Sequence, residues 1–227
     1  MPDSPSAATP APEDQYEADP LPRWPALLAL LAVVGLNLGL PDNLSVGPRW
    51  LLAIVVAALL IPTLLTHRAE RHDLNQIFGY LVNGVETLAL VASVWLLVAA
   101  LPRGTEQPVP LLKSAALLWL TNIIVFALWY WRLDAGGPHH RDARPGHRSG
   151  AILFPQMTLD ESSPAYDPNW SPDFLDYLFV AFNTSTAFSP TDAPILTRWA
   201  KVLTMIQSLI SLTIIALLAA RAVNILN

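Results

Sequence analysis

The feature that most limits what this chain can become is the length of its uninterrupted apolar stretches. A helix rises about 1.5 Å per residue, so about 20 apolar residues are needed to cross a hydrocarbon core of about 30 Å. Ile77–Leu101 and Leu111–Trp131 are long enough outright, and Trp199–Ile225 carries a clean apolar run from Ile206 to Ala220. Trp24–Leu40 and Trp50–Thr66 lie at the short end of the spanning range. Turn-forming residues separate these stretches: Pro41-Asp42-Asn43 to Gly47-Pro48 after the first, and Pro102 to Pro110 before the fourth. Trp24, Trp50, Trp129, Trp131 and Trp199 fall at predicted helix ends, where amphipathic rings sit at headgroup depth. The expected fold is all-α, a polytopic helical membrane protein of about five transmembrane helices, with the lipid bilayer as its first partner.

Composition narrows the function classes. Of 227 residues 53% are hydrophobic and 14% charged, against roughly 25% charged in a soluble domain, which excludes a free cytosolic enzyme. Lys+Arg 13 against Asp+Glu 18 gives a net charge of -5, with no basic and aromatic cluster, so nucleic acid is not an expected partner. The absence of cysteine removes disulfides, thiolate metal sites and cysteine nucleophiles. No G-x-S-x-G element, Walker loop or glycine-rich dinucleotide turn is present, so neither an enzyme nor a cofactor is expected. His67, His72 and Asp73, with His139, His140, Asp142 and His147, supply ligand types but lack the tight helical spacing of H-E-x-x-H; a solvated, headgroup-facing patch is expected and no metal.

Four regions follow. Residues 1–23 form an acidic, proline-rich tail with almost nothing to bury, expected to be disordered. Residues 24–131 hold the first four helices, 132–170 a polar extramembrane loop rich in Gly, Pro and charge, and 171–227 a short helix and the final span.

The short helix carries the most information. Ser171 is expected as its N-cap and Pro172 at its first position, with Asp173 and Asp176 in the first turn, where the helix dipole favours carboxylates. Its apolar part is only about ten residues, half of what a bilayer requires. Asn183 to Thr186 then form a polar run, and Pro190 and Pro194 forbid simple helical continuation into the last span. A helix that enters the membrane and returns as irregular polar backbone is tolerated only where protein or a water-filled cavity covers it. A re-entrant segment is the leading expectation; an amphipathic helix lying in the interface and a short sixth crossing are the alternatives.

From Tyr177 to Val223 this order of parts resembles the pore-helix, filter and inner-helix unit of two-pass potassium channels. Asn183-Thr184 stand where that family has paired threonines, Arg198 stands at the start of the inner helix, and Ser208 lies near its glycine hinge. The filter pattern Thr-Val-Gly-Tyr-Gly-Asp is met here by Thr184-Ser185-Thr186-Ala187-Phe188-Ser189, without either glycine, so the carried-over residues are pore-loop positions and not ion ligands. The resemblance implies a pore, homo-oligomeric, lined by Asn183, Thr184, Ser185 and Thr186 with Asp192 at its mouth. The last third of the chain also resembles a group of bacterial multi-pass membrane proteins with a Gly-x-x-x-Phe-Pro element, an Asp-Tyr-Leu-Phe-x-Ala-Phe half-helix, an Asp-containing loop and a terminal span. Here these are Gly150–Pro155, Asp176–Phe182, Thr191-Asp192 and Trp199 onward. That likeness implies the bacterial inner membrane and the same architecture, and no chemistry.

Polar groups inside apolar helices are costly and mark sites. Asn83 and Glu86 share one face of the third helix, with Asn122 in the fourth and Gln207 and Ser208 in the last as available partners. Glu86 is either a proton or cation site facing a cavity or a protonated carboxyl bonded to Asn122 as interhelical glue. With five spans, nine basic residues (Arg23, Arg68, Arg71, Arg132, Arg141, Arg144, Arg148, Arg198, Lys201) fall on one side and four (Arg49, Arg103, Lys113, Arg221) on the other. The charge rule then places the N-terminus in the cytoplasm and the C-terminus outside, whereas the channel resemblance requires the reverse. Three functions remain open: a pore-loop channel or small-solute pore, a non-conducting accessory or scaffold protein, and a carrier using Glu86.

Overall fold

In a computed structural model the chain is described over residues 22–68, 72–100, 108–143, 146, 150–189 and 192–226, apart from the side chains at 67, 68, 72, 108 and 221–226. The tail up to residue 21, the loop 101–107, His147 and Thr191 therefore lie outside the described residues, as do the side chains of His67, His72 and Arg221.

The described chain is all-helical, in the order α1 (Trp24–Leu38), α2 (Trp50–Arg68), α3 (His72–Ala100), α4 (Pro108–Leu133), α5 (Pro138–Asp142), α6 (Phe174–Thr186) and α7 (Arg198–Leu226). Three helices, α3, α4 and α7, are long and apolar enough to cross a membrane; α1 and α2 are shorter and apolar. Their outward faces expose large apolar side chains such as Leu88, Trp95, Met205 and Leu209, the pattern expected of lipid-facing helices.

The most buried long helix, α4, stands at the centre and packs against α1, α3, α6 and α7. Its Val125, Phe126, Ala127 and Leu128 are buried in succession, so it is apolar all round because protein surrounds it. The α3 helix runs antiparallel beside it: Trp129 Nε1 donates to Thr87 Oγ1 at 2.8 Å, and Gln76 Nε2 donates to the Gly136 carbonyl at 3.3 Å. The indoles of Trp129 and Trp131 thus serve helix packing, Trp131 meeting Phe174 edge to face at 6.2 Å, in place of the headgroup belt expected for them. Trp24, Trp50 and Trp199 are exposed at helix ends, as a belt requires.

At its C-terminal end α4 turns through Ala135, Gly136 and Gly137, all at positive φ. A Cβ on Gly137 would stand 2.8 Å from the Arg132 carbonyl, so only glycine closes this turn without displacement. Asp134, fully buried there, accepts from the Tyr177 hydroxyl at 2.7 Å and from the Ala151 amide. Arg141 donates to the Trp131 and Asp134 carbonyls at 2.8 and 2.9 Å, satisfying helix-end acceptors, and lies over the Tyr177 ring at 5.0 Å. Burial pulls its guanidinium below the usual arginine range, against the raising influence of Tyr177, Asp134 and Asp142.

The α6 helix begins at this same end. Its N-cap is Asp173, two residues beyond the expected Ser171: the carboxylate accepts from Leu175 N at 2.7 Å and Asp176 N at 3.2 Å, while Asp176 accepts from Asp173 N at 2.9 Å. A reciprocal pair of this kind satisfies more orphan donors than a serine would. Burial raises the Asp176 carboxyl above its usual range, and the bond from the Asp173 amide partly offsets this. With 13 residues, α6 is about 20 Å long at 1.5 Å per residue. It runs along α4 from the level of Asp134 to that of Asn122, and the chain then returns to the end it started from: Leu153 N donates to the Pro194 carbonyl and Leu196 N to the Ala151 carbonyl, around an isolated bridge between Ile152 and Ile195. The α7 helix starts there and also runs antiparallel to α4. The polar stretch expected as an irregular loop is thereby anchored, with Phe154 buried against Trp170 and Tyr177.

The Asp134 cluster should be decisive for stability. Asp134→Ala leaves two buried donors, the Tyr177 hydroxyl and the Ala151 amide, without their acceptor, a loss of about 1–3 kcal/mol for each; Tyr177→Phe removes one bond to a carboxylate, about 1–3 kcal/mol. Thermal unfolding in detergent, followed by helical circular dichroism, should rank Asp134→Ala below Tyr177→Phe and both below wild type.

Candidate functional site

Two polar places lie inside the bundle. The first joins α4, α6 and α7. The Asn122 amide donates to Ser185 Oγ at 3.4 Å, the Gln207 carbonyl at 3.2 Å and Ser211 Oγ at 3.0 Å. Gln207 Nε2 donates to the Ala181 carbonyl at 2.7 Å and Ser185 Oγ at 2.8 Å, and its Oε1 accepts from the Tyr130 hydroxyl. All of these side chains are fully buried. Gln207 uses both donors and its carbonyl oxygen, which is what a buried amide requires in an apolar medium.

The residues expected to line a pore loop belong to this cluster or border it. Asn183 to Thr186 form the last turn of α6, in place of the irregular backbone expected after a shorter helix. Thr184 is buried and donates to the Val180 carbonyl at 2.8 Å; Ser185 faces Asn122 and Gln207. Thr186 is exposed and donates to the Phe182 carbonyl at 2.9 Å, and Asn183 is half-buried. Backbone donors cap the turn from within, Ala187 N reaching the Asn183 carbonyl at 2.8 Å. Asp192 is exposed on the returning loop. The turn out of the helix uses Phe188 at φ 54°, a left-handed position that favours glycine and holds a larger residue at some cost.

The second place is between α3 and α4. Gly79, Asn83 and Glu86 lie at i, i+4 and i+7 on one face of α3. Asn83 and Glu86 are fully buried, and none of their side-chain polar atoms has a hydrogen-bond partner. The bond between Glu86 and Asn122, one of the two alternatives for this carboxyl, is not formed, because Asn122 is turned toward α6 and α7 on another face of α4. The group near Glu86 is Arg132, whose charge attracts the carboxyl although no ion pair within 4 Å joins them. Its guanidinium presses on the bare backbone of Gly79, where a Cβ would stand 1.7 Å from Nη1. Being in the last turn of α4, it also meets the negative end of the helix dipole.

Arg132 opens onto a cavity of about 450 Å³ at the end of the bundle. Arg23, Asp73, Gln76, Gly137, His139 and His140 also line it. Arg23 is held there by an ion pair with Asp142 at 2.9 Å. The sequence alone places Arg132 among the basic residues of one side and gives Gly79 no role; a glycine one turn from Asn83, on a helix that also faces a helix-terminal arginine, is the signal that was available.

Two glycine substitutions on α3 separate a packing role from a propensity effect. A Cβ at Gly84 meets nothing within 4 Å, whereas one at Gly79 evicts the Arg132 guanidinium. Alanine is favoured over glycine in a helix by about 1 kcal/mol, so Gly84→Ala should melt at or above wild type, and Gly79→Ala should melt below Gly84→Ala. Equal melting temperatures for the two would contradict the Arg132 notch.

No family model matches this chain, and no curated protein or solved structure matches it either.

Proposed function

We infer that this chain is a non-conducting integral membrane protein of the accessory or scaffold kind, crossing the bacterial inner membrane with α1, α2, α3, α4 and α7 and seating α6 as a re-entrant half-helix. The observation that carries this reading is the engagement of α6 within its own chain. Thr184 and Ser185, the two residues best placed to line a pore, are fully buried and spend their hydroxyls on Val180, Asn122 and Gln207. A filter must offer backbone carbonyls to an ion, whereas a helical turn directs its carbonyls along its own axis.

Sidedness supports the same reading. The N-terminal ends of α1, α3, α6 and α7 and the C-terminal end of α4 share one end of the bundle, which carries Arg23, Arg132, Arg141, Arg198 and Lys201; at the other end are Arg49 and Lys113. Under the positive-inside rule the basic end is cytoplasmic. The half-helix then enters from the cytoplasm, opposite to the pore loop of the channels it resembles. At 15 residues α1 is only about 22 Å long, and crossing requires local thinning of the bilayer around it.

A second reading, a carrier with Glu86 as its proton site, is favoured by one observation: Glu86 and Asn83 are buried without bonding partners beside a charged arginine. Buried carboxyls of this kind are proton-relay candidates.

Reconstitution into liposomes tests both. Potassium and sodium flux through wild-type protein should equal that of protein-free vesicles, and Thr184→Val and Thr186→Val should change nothing. Flux above background that Thr184→Val lowers would restore the pore. Under a potassium diffusion potential, proton uptake reported by an entrapped pH dye should also stay at background; uptake lost in Glu86→Gln would establish the carrier.

A further inference from the structure

We propose that the cavity at the basic end of the bundle and the groove beside it form a binding site for an anionic membrane lipid, its phosphate held at Arg132 and an acyl chain lying between α1 and α2. This goes beyond the reading of the protein as non-conducting and does not depend on it.

Three observations converge. Arg132 is only 9% exposed, lines the cavity, and has an Nε without a hydrogen-bond partner; among the described residues no carboxylate reaches ion-pair distance of its guanidinium. A buried guanidinium in that condition is costly unless an anion completes it, and its planar fork suits a phosphate. The cavity, about 450 Å³, exceeds what a bare ion fills and suits a phosphate with a small polar substituent. Asp73 on its wall and the Arg23–Asp142 pair beside it keep the site from being uniformly positive, so Arg132 is the group that selects.

The third observation sets the chemistry of the rest of the ligand. A second, mostly apolar hollow of about 280 Å³ shares Arg23, Asn75, Arg132 and Pro138 with the first. It descends between α1 and α2 over Leu27, Leu30, Leu60 and Leu64, with α4 as its floor. A polar chamber with an unsatisfied cation, continuous with an apolar groove at a helix-bundle end, matches a molecule with a phosphate at one end and a hydrocarbon chain at the other. Free phosphate would leave the groove without an occupant, and a neutral lipid would leave Arg132 unpaired.

The test uses the full-length protein in neutral detergent, with lipid retention read by native mass spectrometry. Palmitoyl-oleoyl phosphatidylglycerol should be retained about tenfold better than phosphatidylcholine with the same chains, the discrimination expected of one charged hydrogen-bonding group. Arg132→Gln should bring the two lipids level, while Leu64→Trp, at an exposed groove position, should lower retention of both and leave their ratio unchanged. Equal retention of the two lipids by wild type overturns the proposal without recourse to any variant. So does displacement of phosphatidylglycerol by matched glycerol phosphate or inorganic phosphate, which would make this a free-anion site, and so does undiminished retention in Leu64→Trp, which would take the chain out of the groove. Retention of lipid and flux of ions are separate readouts, so failure here leaves the non-conducting reading standing.

Discussion

Inside a bilayer no water is available to satisfy a polar side chain, so one placed on an apolar helix is costly unless it finds a partner within the protein. Asn122 on α4 imposes that requirement at the centre of this molecule. Its amide is met by Ser185 of α6 and by Gln207 and Ser211 of α7, and Gln207 in turn takes the Tyr130 hydroxyl back on α4. Three helices are thereby held in one register, because a slip of one residue would turn these groups toward lipid. The apolar contacts of α4 are numerous but weakly directional, since hydrocarbon competes with them on equal terms. The bonds around Asn122 are what select one arrangement among the many that greasy helices allow.

At the end of the bundle the same principle operates with charges. The α4 helix closes on a left-handed turn whose buried aspartate holds Tyr177 of α6 and the Ala151 amide, with Arg141 capping the helix carbonyls behind it. This cluster sets where α6 begins, and the Asn122 network sets where it stops. A half-length helix and a chain that doubles back follow from having both ends fixed on a single neighbour. Arg132, two residues before Asp134, adds no side-chain bond to that closure and instead lies on Gly79 between the buried Glu86 and the open cavity. Its buried guanidinium keeps an Nε without a partner and lines the open cavity, and the proposed lipid site grows from that.

Much of the architecture was legible because hydrophobic length is a local property. The expected span Leu111–Trp131 falls within α4, and Trp199–Ile225 within α7. The shortness of α6 was legible for a related reason: about ten apolar residues followed by a polar run and prolines give a helix of 13 residues, half the length of α4. What went astray concerned partners. Ser171 was expected to cap α6, but Asp173 and Asp176 satisfy each other's backbone and displace it. Asn183 to Thr186 were expected to leave the helix because they are polar, yet they stay in it: Ser185 meets Asn122 and Gln207, while Thr184 and Thr186 turn their hydroxyls to the Val180 and Phe182 carbonyls of the helix itself. Depth alone allows Glu86 to meet Asn122, one of its two alternatives, and the rotational setting of α4 puts the two on different faces.

The sequence by itself determined that this chain is a set of apolar helices of unequal length, because the free energy of burying apolar residues is summed along the chain and needs no knowledge of neighbours. Only the tertiary structure decided which polar groups meet, since that depends on the rotation of each helix about its axis, a quantity that runs of leucine and valine leave almost unspecified. The same rotation decided that Ser185 spends its hydroxyl on Asn122 and Gln207, and that Arg132 lies over a glycine with its charge turned to a cavity.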